Sequence, residues 1–493
     1  KVDFENNSLF NFQTKTFMGV NADYKFNENL NIGGTVLNLT ERPLTQKVNI
    51  GSEPISNTIF GVNGTFTKNA PYLTRYVDAI PFIETKAASN LTVQGEYAQL
   101  VPGSPNGIKI DGEETTYLDD FESSQTSIDI RNPRSWTMAS TPAGQPDLFP
   151  EGSIKGIEYG FNRARLAWYN VDPLFYGSDS RTPDNIKSDP NLQSEHYTRQ
   201  VWSKEVFPNL QLDASQVKTL AILDLAYYPS ERGPYNFNPA ANGNTLPNPQ
   251  QNWAGITRQL TSTDLEQANV EYIEFWLQDP FQENPTNPGG KLVFNLGNIS
   301  EDVLSDGRKQ YENGLPDSEN GAFTTETSWG KTPANQSLIY AFDTTGQDRI
   351  LQDIGYDGLN DTDEGLKFGA FSTLDDPAND NYSYFLDTEG DIFERYKKYN
   401  GVEGNTPDTF SDTVRAANTQ PDAEDINRDN TMNTINSYFE YELDITRQNL
   451  PLSEADFDNI PDSNPLKDFL RDFKNRPRLL PNGDTKDVRW YQF

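Results

Sequence analysis

The sequence lacks cysteine, contains a single histidine, and has no long apolar run. Without cysteine, the chain can form no disulfide, no thiolate metal site and no thiol nucleophile. The one histidine, His196, leaves almost no room for a histidine-based catalytic triad or a multi-histidine zinc site. Its neighbours are polar, so we expect His196 to lie in a solvated loop. No stretch of about twenty apolar residues occurs, which excludes a transmembrane helix.

Basic residues are also scarce. Lysine and arginine together number 40, against 73 aspartates and glutamates, which gives a formal net charge of −33. This balance argues against nucleic acid and anionic lipid as main partners. About half of the acidic excess lies in residues 343–444, where 24 acidic residues stand against 7 basic ones. Such a surface is either strongly solvated or suited to holding cations.

The first hundred residues contain four stretches in which apolar residues alternate with polar ones. These stretches are Met18 to Phe26, Leu30 to Val36, Phe60 to Phe66 and Leu91 to Tyr97. Stretches of about ten residues with one apolar face, separated by turns, are typical of strands in outer-membrane β-barrels. Four strands cannot close a barrel, and an open sheet edge cannot sit in lipid. We therefore expect the chain to be a processed or truncated piece of something larger.

The tight turn at residues 27–29 sets the predicted membrane topology. Outer-membrane barrels place short turns in the periplasm and long loops outside the cell. If this turn is periplasmic, the strand through Tyr97 runs outward, and the large insert after it begins outside the cell. The connection at residues 68–90 carries apolar residues at helical spacing, which predicts a short amphipathic helix at the membrane boundary. The residues in this pattern are Leu73, Tyr76, Val77 and Ile80.

The predicted fold class is mainly β, with outer-membrane barrel strands that carry a large inserted jelly-roll β-sandwich and an acidic, loop-rich region with a few short helices. The predicted segments are 1–101 (barrel strands), 102–342 (jelly roll), 343–445 (acidic region) and 446–493 (connecting helix and return to a barrel strand). Strands in the jelly-roll segment are predicted at 157–169, 219–228, 270–277 and 291–296. Several are apolar on both faces, as strands inside a sandwich are.

Two helices and a closing strand are predicted in the last hundred residues. An apolar stripe predicts a helix from Ile392 to Tyr399. A second stripe follows the capping pair Asn464–Pro465 and is formed by Leu466, Phe469, Leu470 and Phe473. The run from Val488 to Phe493 is predicted to be a strand that returns to the membrane. Its Trp490 and Tyr491 would suit the aromatic girdle at the membrane interface.

The run from Tyr117 to Gly144, YLDDFESSQTSIDIRNPRSWTMASTPAG, resembles the SprA/Sov cell-surface family of the Bacteroidota. Six further pieces carry the same resemblance: GGTVLNLTERPLTQKVNIGSEPISNTIFGVNGTF, GGKLVFNLGNISEDVLSDG, DIGYDGLNDTDEG, ERYKKYNGVEGN, EDINRDNTMN and the closing VRWYQF. Together these pieces are spread over essentially the whole chain.

The resemblance implies a segment of the outer-membrane translocon of the type IX secretion system. Members of this family are far longer than this chain and form a very large single-chain barrel. By resemblance, the pore passes folded cargo proteins to the cell surface through a lateral opening. Extracellular insertions cap it, and a smaller outer-membrane barrel partner and a periplasmic plug protein close it. The pathway also supports gliding motility in many members.

The acidic region contains an EF-hand-like spacing of carboxylates. Asp353, Asp357, Asp361 and Glu364 occupy positions 1, 5, 9 and 12 of the loop, with Gly358 at position 6. A hard divalent cation needs six to eight oxygens, and the glycine allows the sharp turn that folds them inward. Position 3 is a second glycine and supplies no side-chain ligand, so a solvated acidic turn is the alternative to a structural calcium site.

A second candidate loop carries Asp425, Asn427, Asp429 and Asn433, a spacing that resembles the calcium loops of dockerin-type repeats. Asn430 replaces the turn glycine, and asparagine tolerates the left-handed conformation. Position 12 is a neutral residue, so the affinity for calcium should be lower than in the first loop. A linker rich in Asx turns is the alternative interpretation.

A weaker candidate is the acidic group Asp119, Asp120 and Glu122. It resembles the opening strand of carbohydrate-binding jelly rolls, where such acids can hold a structural calcium. A paired-carboxylate glycosidase site is the alternative, but no second carboxylate stands in a recognisable context. Sugar could also bind exposed aromatics, although such residues are more often part of a sandwich core. The tryptophans considered for this are Trp136, Trp168, Trp202 and Trp253.

The sequence therefore predicts a non-enzymatic segment of a secretion translocon in the outer membrane, with its large insertion exposed at the cell surface. The expected partners are secreted cargo proteins, the other translocon subunits and outer-membrane lipid, without nucleic acid. Calcium is the only cofactor expected, and its role would be structural. The rival hypothesis is a surface glycan-binding or adhesive protein whose jelly roll holds sugar.

Overall fold

A computed structural model gives the structure of most of the chain. It describes residues 15–42, 54–105, 128–177, 179–210, 212, 216–260, 262, 265, 270–312, 324–335, 337, 355–399 and 422–493. The chain divides into two compact units. The N-terminal unit comprises Lys1–Thr126 with Asn209–Gln216 and Glu266–Val270, and the C-terminal unit comprises Ser127–Pro208, Val217–Leu265 and Glu271–Phe493.

The N-terminal unit contains a four-stranded antiparallel sheet with the strands in chain order. Its strands are β1 (Lys15–Asn27), β2 (Leu30–Glu41), β3 (Ser56–Asn69) and β4 (Asn90–Val101). A short helix, α1 (Pro71–Asp78), joins β3 to β4 and begins with proline at its first turn, where a missing N–H costs nothing. All four predicted strands and the predicted helix are present.

The register of the sheet places like residues side by side. Ala22 pairs with Gly34, Gly34 with Val62, and Val62 with Tyr97. Because side chains alternate along a strand, this register gathers the apolar positions of all four strands on one surface. We call this surface the apolar face; it consists of Met18, Val20, Tyr24, Phe26, Ile32, Val36, Val62, Phe66, Leu91, Val93 and Tyr97.

The C-terminal unit combines short strands with short helices. Its strands are β5 (Thr137–Met138), β6 (Ala164–Tyr169), β7 (Asp224–Arg232), β8 (Ile256–Thr257), β9 (Trp276–Gln278), β10 (Gly290–Asn298), β11 (Thr324–Glu326), β12 (Lys331–Pro333), β13 (Ser437–Ile445), β14 (Asp472–Leu479) and β15 (Thr485–Gln492). Its α-helices are α2 (Asp184–Lys187), α3 (Ser203–Val206), α4 (Asp361–Lys367), α5 (Ile392–Tyr396) and α6 (Glu454–Asp458). Single 3₁₀ turns occur at Pro133–Ser135, Pro150–Ser153, Ile157–Gly160, Pro173–Tyr176, Leu192–Ser194 and Gly369–Phe371.

The structure is thus mainly β with few helices, as predicted. In the described part of the chain, no helix has the length and apolar character needed to span a bilayer.

The sheets of the C-terminal unit are small. In the described residues, β5 pairs with β8, β6 with β7, β10 with β13 and β11 with β12, while β9, β15 and β14 form a three-stranded sheet. The predicted jelly roll is not confirmed by these two- and three-stranded sheets. Strands β9 and β10 pair with partners beyond residue 342, so residues on both sides of that predicted boundary share the same sheets.

The central core of the C-terminal unit is aromatic. Trp168, Tyr235, Trp329, Tyr356 and Phe371 are buried together, and Trp329 is fully buried with its indole N–H donated to the Leu304 carbonyl at 2.7 Å. We call this group the central core. Segments far apart in sequence meet there, so its packing positions the loops of the acidic region.

Two strand predictions need correction. The predicted strand at 270–277 is a strand only at β9, and Tyr272 and Ile273 before it are exposed rather than inside a sandwich. The predicted strand at 157–169 begins only at Ala164, because residues 157–160 form a 3₁₀ turn. The strands predicted at 219–228 and 291–296 correspond to β7 and β10 with shifted bounds.

The predicted helix from Leu466 to Phe473 is also wrong. The Asn464 side chain accepts the Leu466 N–H at 2.9 Å as expected of a cap, but only turns follow, and Phe473 enters β14. Leu466, Leu470 and Phe473 are nevertheless buried. The apolar spacing was therefore a burial pattern, and of these residues only Phe473 belongs to a paired strand.

The closing strand exists as β15, but the prediction for its aromatic residues is wrong. Trp490 and Tyr491 are 2% and 0% exposed and pack inside the C-terminal unit instead of forming an interfacial girdle. β15 is the middle strand of its sheet, between β14 and β9, so both of its edges are paired. A strand in this position is a core element of its own unit.

Candidate functional site

The apolar face of the N-terminal sheet is open. Its side chains are between 37% (Ile32) and 70% (Val20) exposed. Tyr24 and Phe26 contact each other edge to face at 4.6 Å between ring centroids, near one end of the sheet. A contiguous apolar surface of this size marks a site of contact with a membrane or a partner.

The opposite surface of the same sheet is polar along its middle. It carries Asn21, Asp23, Lys25, Asn31, Thr35, Asn63, Thr65, Gln94 and Glu96. Gly33 lies between Asp23 and Asn63 across the strands, and a Cβ atom there would collide with a side-chain oxygen of each. Glycine at this position therefore leaves room for two polar side chains to meet over β2. We call this surface the polar face.

The two outer strands of this sheet are β1 and β4, and within the described residues each pairs along one edge only. The free edge of a strand carries backbone N–H and C=O groups that can pair with a further strand. The sheet is thus built so that it can be extended on both sides.

The C-terminal unit contains a buried group of three carboxylates, which we call the acidic cage: Asp357, Glu364 and Asp380. One oxygen of each lies within 4.8 Å of the others. Asp357 is 1%, Glu364 1% and Asp380 8% exposed. A second group, formed by Asp361, Glu364 and Asp376, shares Glu364 and lies closer to the surface.

Local geometry holds the acidic cage in place. Gly355 and Gly358 adopt φ angles of +62° and +72°, so the chain turns sharply on both sides of Asp357. Asn360 then caps α4 by accepting the Asp363 N–H at 3.0 Å. Glu364, one turn into that helix, accepts the Ala378 N–H at 2.8 Å. The loop before α4 and the segment around Asp380 are thereby brought together.

The electrostatics of the acidic cage are unfavourable for three negative charges. Burial is the main cause that raises the pKa of Asp357, Glu364 and Asp380, and the neighbouring carboxylates raise it further. The hydrogen bond from Tyr235 to Asp380 acts in the opposite direction. No ion pair reaches these three residues in the described part of the chain, although Lys398 lies 3.5 Å from Asp376 in the outer group.

The last quarter of the chain matches a known family model. Residues 367–493 match the family model SprA_N, described as a motility related/secretion protein. This segment is SprA-like. The resemblance predicted from sequence is confirmed for it, and the SprA-like segment contains Asp376 and Asp380. No curated protein matches the chain.

The sequence prediction found part of this cage. Asp357 and Glu364 come together as the EF-hand-like spacing predicts, and Asp361 lies at the outer group. Asp353 lies outside the described residues, as do Asp119, Asp120 and Glu122. Asp376 and Asp380 were missed, because they belong to a separate turn in the SprA-like segment. A usable signal was their i, i+4 spacing, since the Asp380 N–H donates to Asp376 Oδ1 at 3.1 Å and closes that turn.

The second predicted calcium loop is arranged differently. Both oxygens of Asp425 accept backbone N–H groups, from Asp429 at 3.1 Å and from Asn430 at 2.8 Å. The Lys309 ammonium lies 3.8 Å from Asp425 and 3.2 Å from the Asn430 side chain. Asn433 donates its amide to Glu301 instead of facing Asp425. The Asp425 carboxylate is therefore hydrogen-bonded in Asx turns and balanced by a lysine, and we propose no metal there.

This loop has a counterpart earlier in the chain that the sequence prediction missed. Asp302 accepts the N–H groups of Asp306 and Gly307 just as Asp425 accepts those of Asp429 and Asn430. The two loops also exchange contacts: Glu424 accepts the Gln310 N–H at 2.9 Å, and Glu301 accepts the Asn433 N–H at 3.3 Å. The matching segments are EDVLSDG at 301–307 and EDINRDN at 424–430. The pair therefore fastens the SprA-like segment to the rest of its unit.

The tryptophans considered for sugar binding are not exposed. Trp168 and Trp253 are buried, and Trp136 and Trp202 are half-buried. Trp253 donates its indole N–H to Glu151 at 2.9 Å, and the Arg478 guanidinium lies 4.4 Å from the Trp202 ring. These contacts are those of core and boundary residues.

The prediction for His196 is wrong. Its side chain is buried, with Nε2 2.9 Å from the Asp279 carbonyl oxygen, so Nε2 carries the proton and donates it. The Gln278 amide lies 3.2 Å from Nδ1. Burial lowers the pKa of His196, Arg199 lowers it further, and the Asp279 contact and Glu283 raise it. The polar sequence neighbours of His196 did not predict its buried environment, because a segment 82 residues away covers the ring.

The lowered pKa of His196 predicts a pH-dependent loss of stability. The unfolded chain binds a proton near pH 6.5 and the folded chain does not, so stability falls as the pH drops below about 6.5, by up to about 1.4 kcal/mol per pH unit. The measurement is urea unfolding at several pH values for the wild type and for His196→Gln. Since the chain has one histidine, the difference between the two curves isolates this group. A difference that does not change with pH would contradict the prediction.

Proposed function

We propose that this chain is part of a protein-conducting channel in the outer membrane, in which β1–β4 form a section of the wall. The main observation behind this proposal is that one sheet has an apolar face and a polar face, and that both are exposed. A sheet that covers a soluble core hides its apolar side, whereas a barrel wall turns that side to lipid and the other to a water-filled lumen. The SprA-like segment, related to motility and secretion, supports the same assignment.

The open edges of β1 and β4 support a larger assembly. Unpaired strand edges are not tolerated in lipid, so further strands must continue the sheet on both sides. In this proposal, the C-terminal unit is exposed at the cell surface. The work of the chain is passive and involves no catalysis.

The partners follow from the resemblance to the translocon family. They are folded cargo proteins, a smaller outer-membrane barrel and a periplasmic plug protein, with outer-membrane lipid around the wall. The channel would export cargo through the type IX pathway and would support gliding motility. No observation favours the rival glycan-binding function, since the four tryptophans considered for it are buried or half-buried.

Site-specific photo-crosslinking in secreting cells tests the channel proposal. A crosslinking residue is placed on the polar face at Asn63 or Glu96, and as matched controls at their apolar-face neighbours Val62 or Tyr97. Cargo fused to a domain too large to pass is expected to crosslink from the polar face and not from the apolar face. Cargo adducts from the apolar face, or none from the polar face while cargo is arrested, would contradict the proposal.

A further inference from the structure

We propose that Asp357, Glu364 and Asp380 bind one structural calcium ion inside the C-terminal unit. The proposal does not depend on the secretion function. It differs from a simple EF-hand-like loop, because one of its three ligands comes from the separate turn at 376–380 in the SprA-like segment.

The distances suit a shared cation. Calcium binds oxygen at about 2.3–2.6 Å, so two oxygens on one ion lie at most about 5 Å apart. One oxygen from each of the three side chains satisfies this limit, at 4.8 Å or less. The side chains are held there by independent backbone contacts, since Asp357 accepts the Leu359 N–H at 3.0 Å and Glu364 accepts the Ala378 N–H.

Two oxygens of the cage have no partner. Among the described residues, neither Asp357 Oδ2 nor Asp380 Oδ2 has a hydrogen bond, although both side chains are more than nine-tenths buried. A cation bound beside these oxygens would balance their charge, and an unpaired buried charge is very costly.

A space that fits one ion lies beside two of the cage residues, Glu364 and Asp380, and Asp357 is not among the residues that line it. A cavity of about 20 Å³ is lined by Tyr235, Gly355, Asp361, Glu364 and Asp380, which is room for one water-sized particle. No lysine or arginine is among its lining residues. Gly355 is required at this wall, since a Cβ atom there would collide with Asp380 Oδ2. Every feature of the lining therefore leaves room for a cation beside the carboxylates.

The donor set identifies the metal. All three side-chain ligands are hard carboxylate oxygens, and the chain has no cysteine and only one distant histidine, which disfavours zinc and other soft metals. Magnesium requires near-ideal octahedral geometry and keeps several waters, which this small buried cavity does not admit. Calcium accepts irregular oxygen sets. The outer group is not chosen as the site, because Lys398 already balances Asp376.

A calcium ion in the cage would tie α4 to the turn around Asp380 and both to the central core. Tyr235 links the two, since its hydroxyl accepts the Tyr356 N–H at 2.8 Å and lies beside Asp380. The ion would thus fasten the start of the SprA-like segment to the loop before α4, and Tyr235 connects that loop to the central core.

The test uses the full 493-residue chain, stripped of metal with a chelator and kept in detergent. Calcium is added in a calorimetric titration and in thermal melts followed by tryptophan fluorescence, which reports the C-terminal unit because all seven tryptophans lie there. We expect one calcium per chain and a melting temperature that rises with calcium concentration. Magnesium at the same concentration should have a much smaller effect.

Two variants assign the ligands, and one serves as a control. Asp380→Asn should weaken calcium binding at least about tenfold, since ligand charge sets affinity. In the absence of metal, it should melt at a higher temperature than the wild type, because it removes a repelling charge. Glu364→Gln should behave alike and provides a second variant if Asp380→Asn does not fold. Asp363→Asn, on the same helix and with the same change of charge, should keep the wild-type calcium response.

Two outcomes would overturn the proposal. One is a wild-type chain that shows neither binding heat nor a shift in melting temperature on adding calcium. The other is a calcium response that is as strong in Asp380→Asn and Glu364→Gln as in the wild type, which would place the ion elsewhere.

Discussion

Val62→Arg is expected to destabilise the protein in its membrane by about 2–4 kcal/mol, the cost of arginine on the lipid face of a barrel at mid-depth. Val62 lies in the middle of β3 on the apolar face, between Gly34 and Tyr97, and is 54% exposed. If lipid covers the apolar face as proposed, a guanidinium there must leave water for hydrocarbon. Since each 1.36 kcal/mol is a factor of ten, the ratio of folded to unfolded protein should fall about 30- to 900-fold.

The matched control is Asn63→Arg, one residue further along the same strand. Asn63 is also exposed but lies on the polar face, beside Glu96 and Asp23. A charge in a water-filled lumen costs little, so this variant should remain close to the wild type. Both are compared by the amount of protein in the outer membrane and its resistance to extraction by urea. Equal losses for the two variants would contradict the assignment of the faces.

Glu205→Ala is expected to cost about 3–5 kcal/mol of stability in the C-terminal unit, because it leaves a buried arginine without its counter-charge. Arg199 and Glu205 form a two-bond ion pair, with Nη1–Oε1 2.9 Å and Nη2–Oε2 2.7 Å, and both side chains are almost fully buried. Glu205 also accepts the Trp202 N–H at 3.1 Å at the start of α3. Urea unfolding followed by tryptophan fluorescence measures the loss.

Two comparisons separate burial from charge pairing. Asp129→Ala breaks an exposed pair with Arg131 and should cost under about 1 kcal/mol, because solvent screens that pair. The double variant Arg199→Met/Glu205→Leu should recover most of the lost stability, since an apolar pair of similar size can replace a buried ion pair. A double variant as unstable as Glu205→Ala alone would show that the loss comes from packing or from the Trp202 contact instead.

The sequence predicted the N-terminal sheet well because its information is local. Alternation at Met18 to Phe26 and the three later stretches fixes both the strands and the shared face. The same periodicity gives the register, since a slip by one residue would move Val62 to the polar face. The short helix after β3 was also predicted, because its apolar spacing is a signal within a few residues.

The C-terminal unit was harder to predict because its structure depends on distant partners. Strand β13 was overlooked inside the acidic region, although Phe439, Tyr441 and Leu443 alternate with charged residues, because the charge count dominated the interpretation. Residues 466–473 do not form the predicted helix, since apolar residues at positions i, i+3 and i+4 can also be buried by turns and the start of a strand. Pairing with β10, far away in sequence, decided the outcome for β13, whereas β14 pairs with its sequence neighbour β15.

The acidic cage shows the same difference between what local sequence predicts and what distant packing decides. The loop ligands Asp357 and Glu364 could be predicted, because their spacing and the turn glycine are local. Asp380 could not be assigned to them, since only the packing of the central core brings its turn to α4. Distant packing also explains why His196 is buried, because the segment around Asp279 covers its ring. Local patterns therefore gave candidate ligands, while the fold selected which of them meet.

The central claim, that lipid covers the apolar face, is tested most directly by an environment-sensitive fluorophore on single cysteines. The chain has no cysteine, so one label can be placed at Val20 or Val62 and, for comparison, at Asn21 or Asn63. The protein is placed in lipid nanodiscs and exposed to a quencher on the lipid chains or to aqueous iodide. We expect the lipid quencher to act at Val20 and Val62 and iodide to act at Asn21 and Asn63. Iodide quenching at all four positions, with no effect of the lipid quencher, would contradict the account.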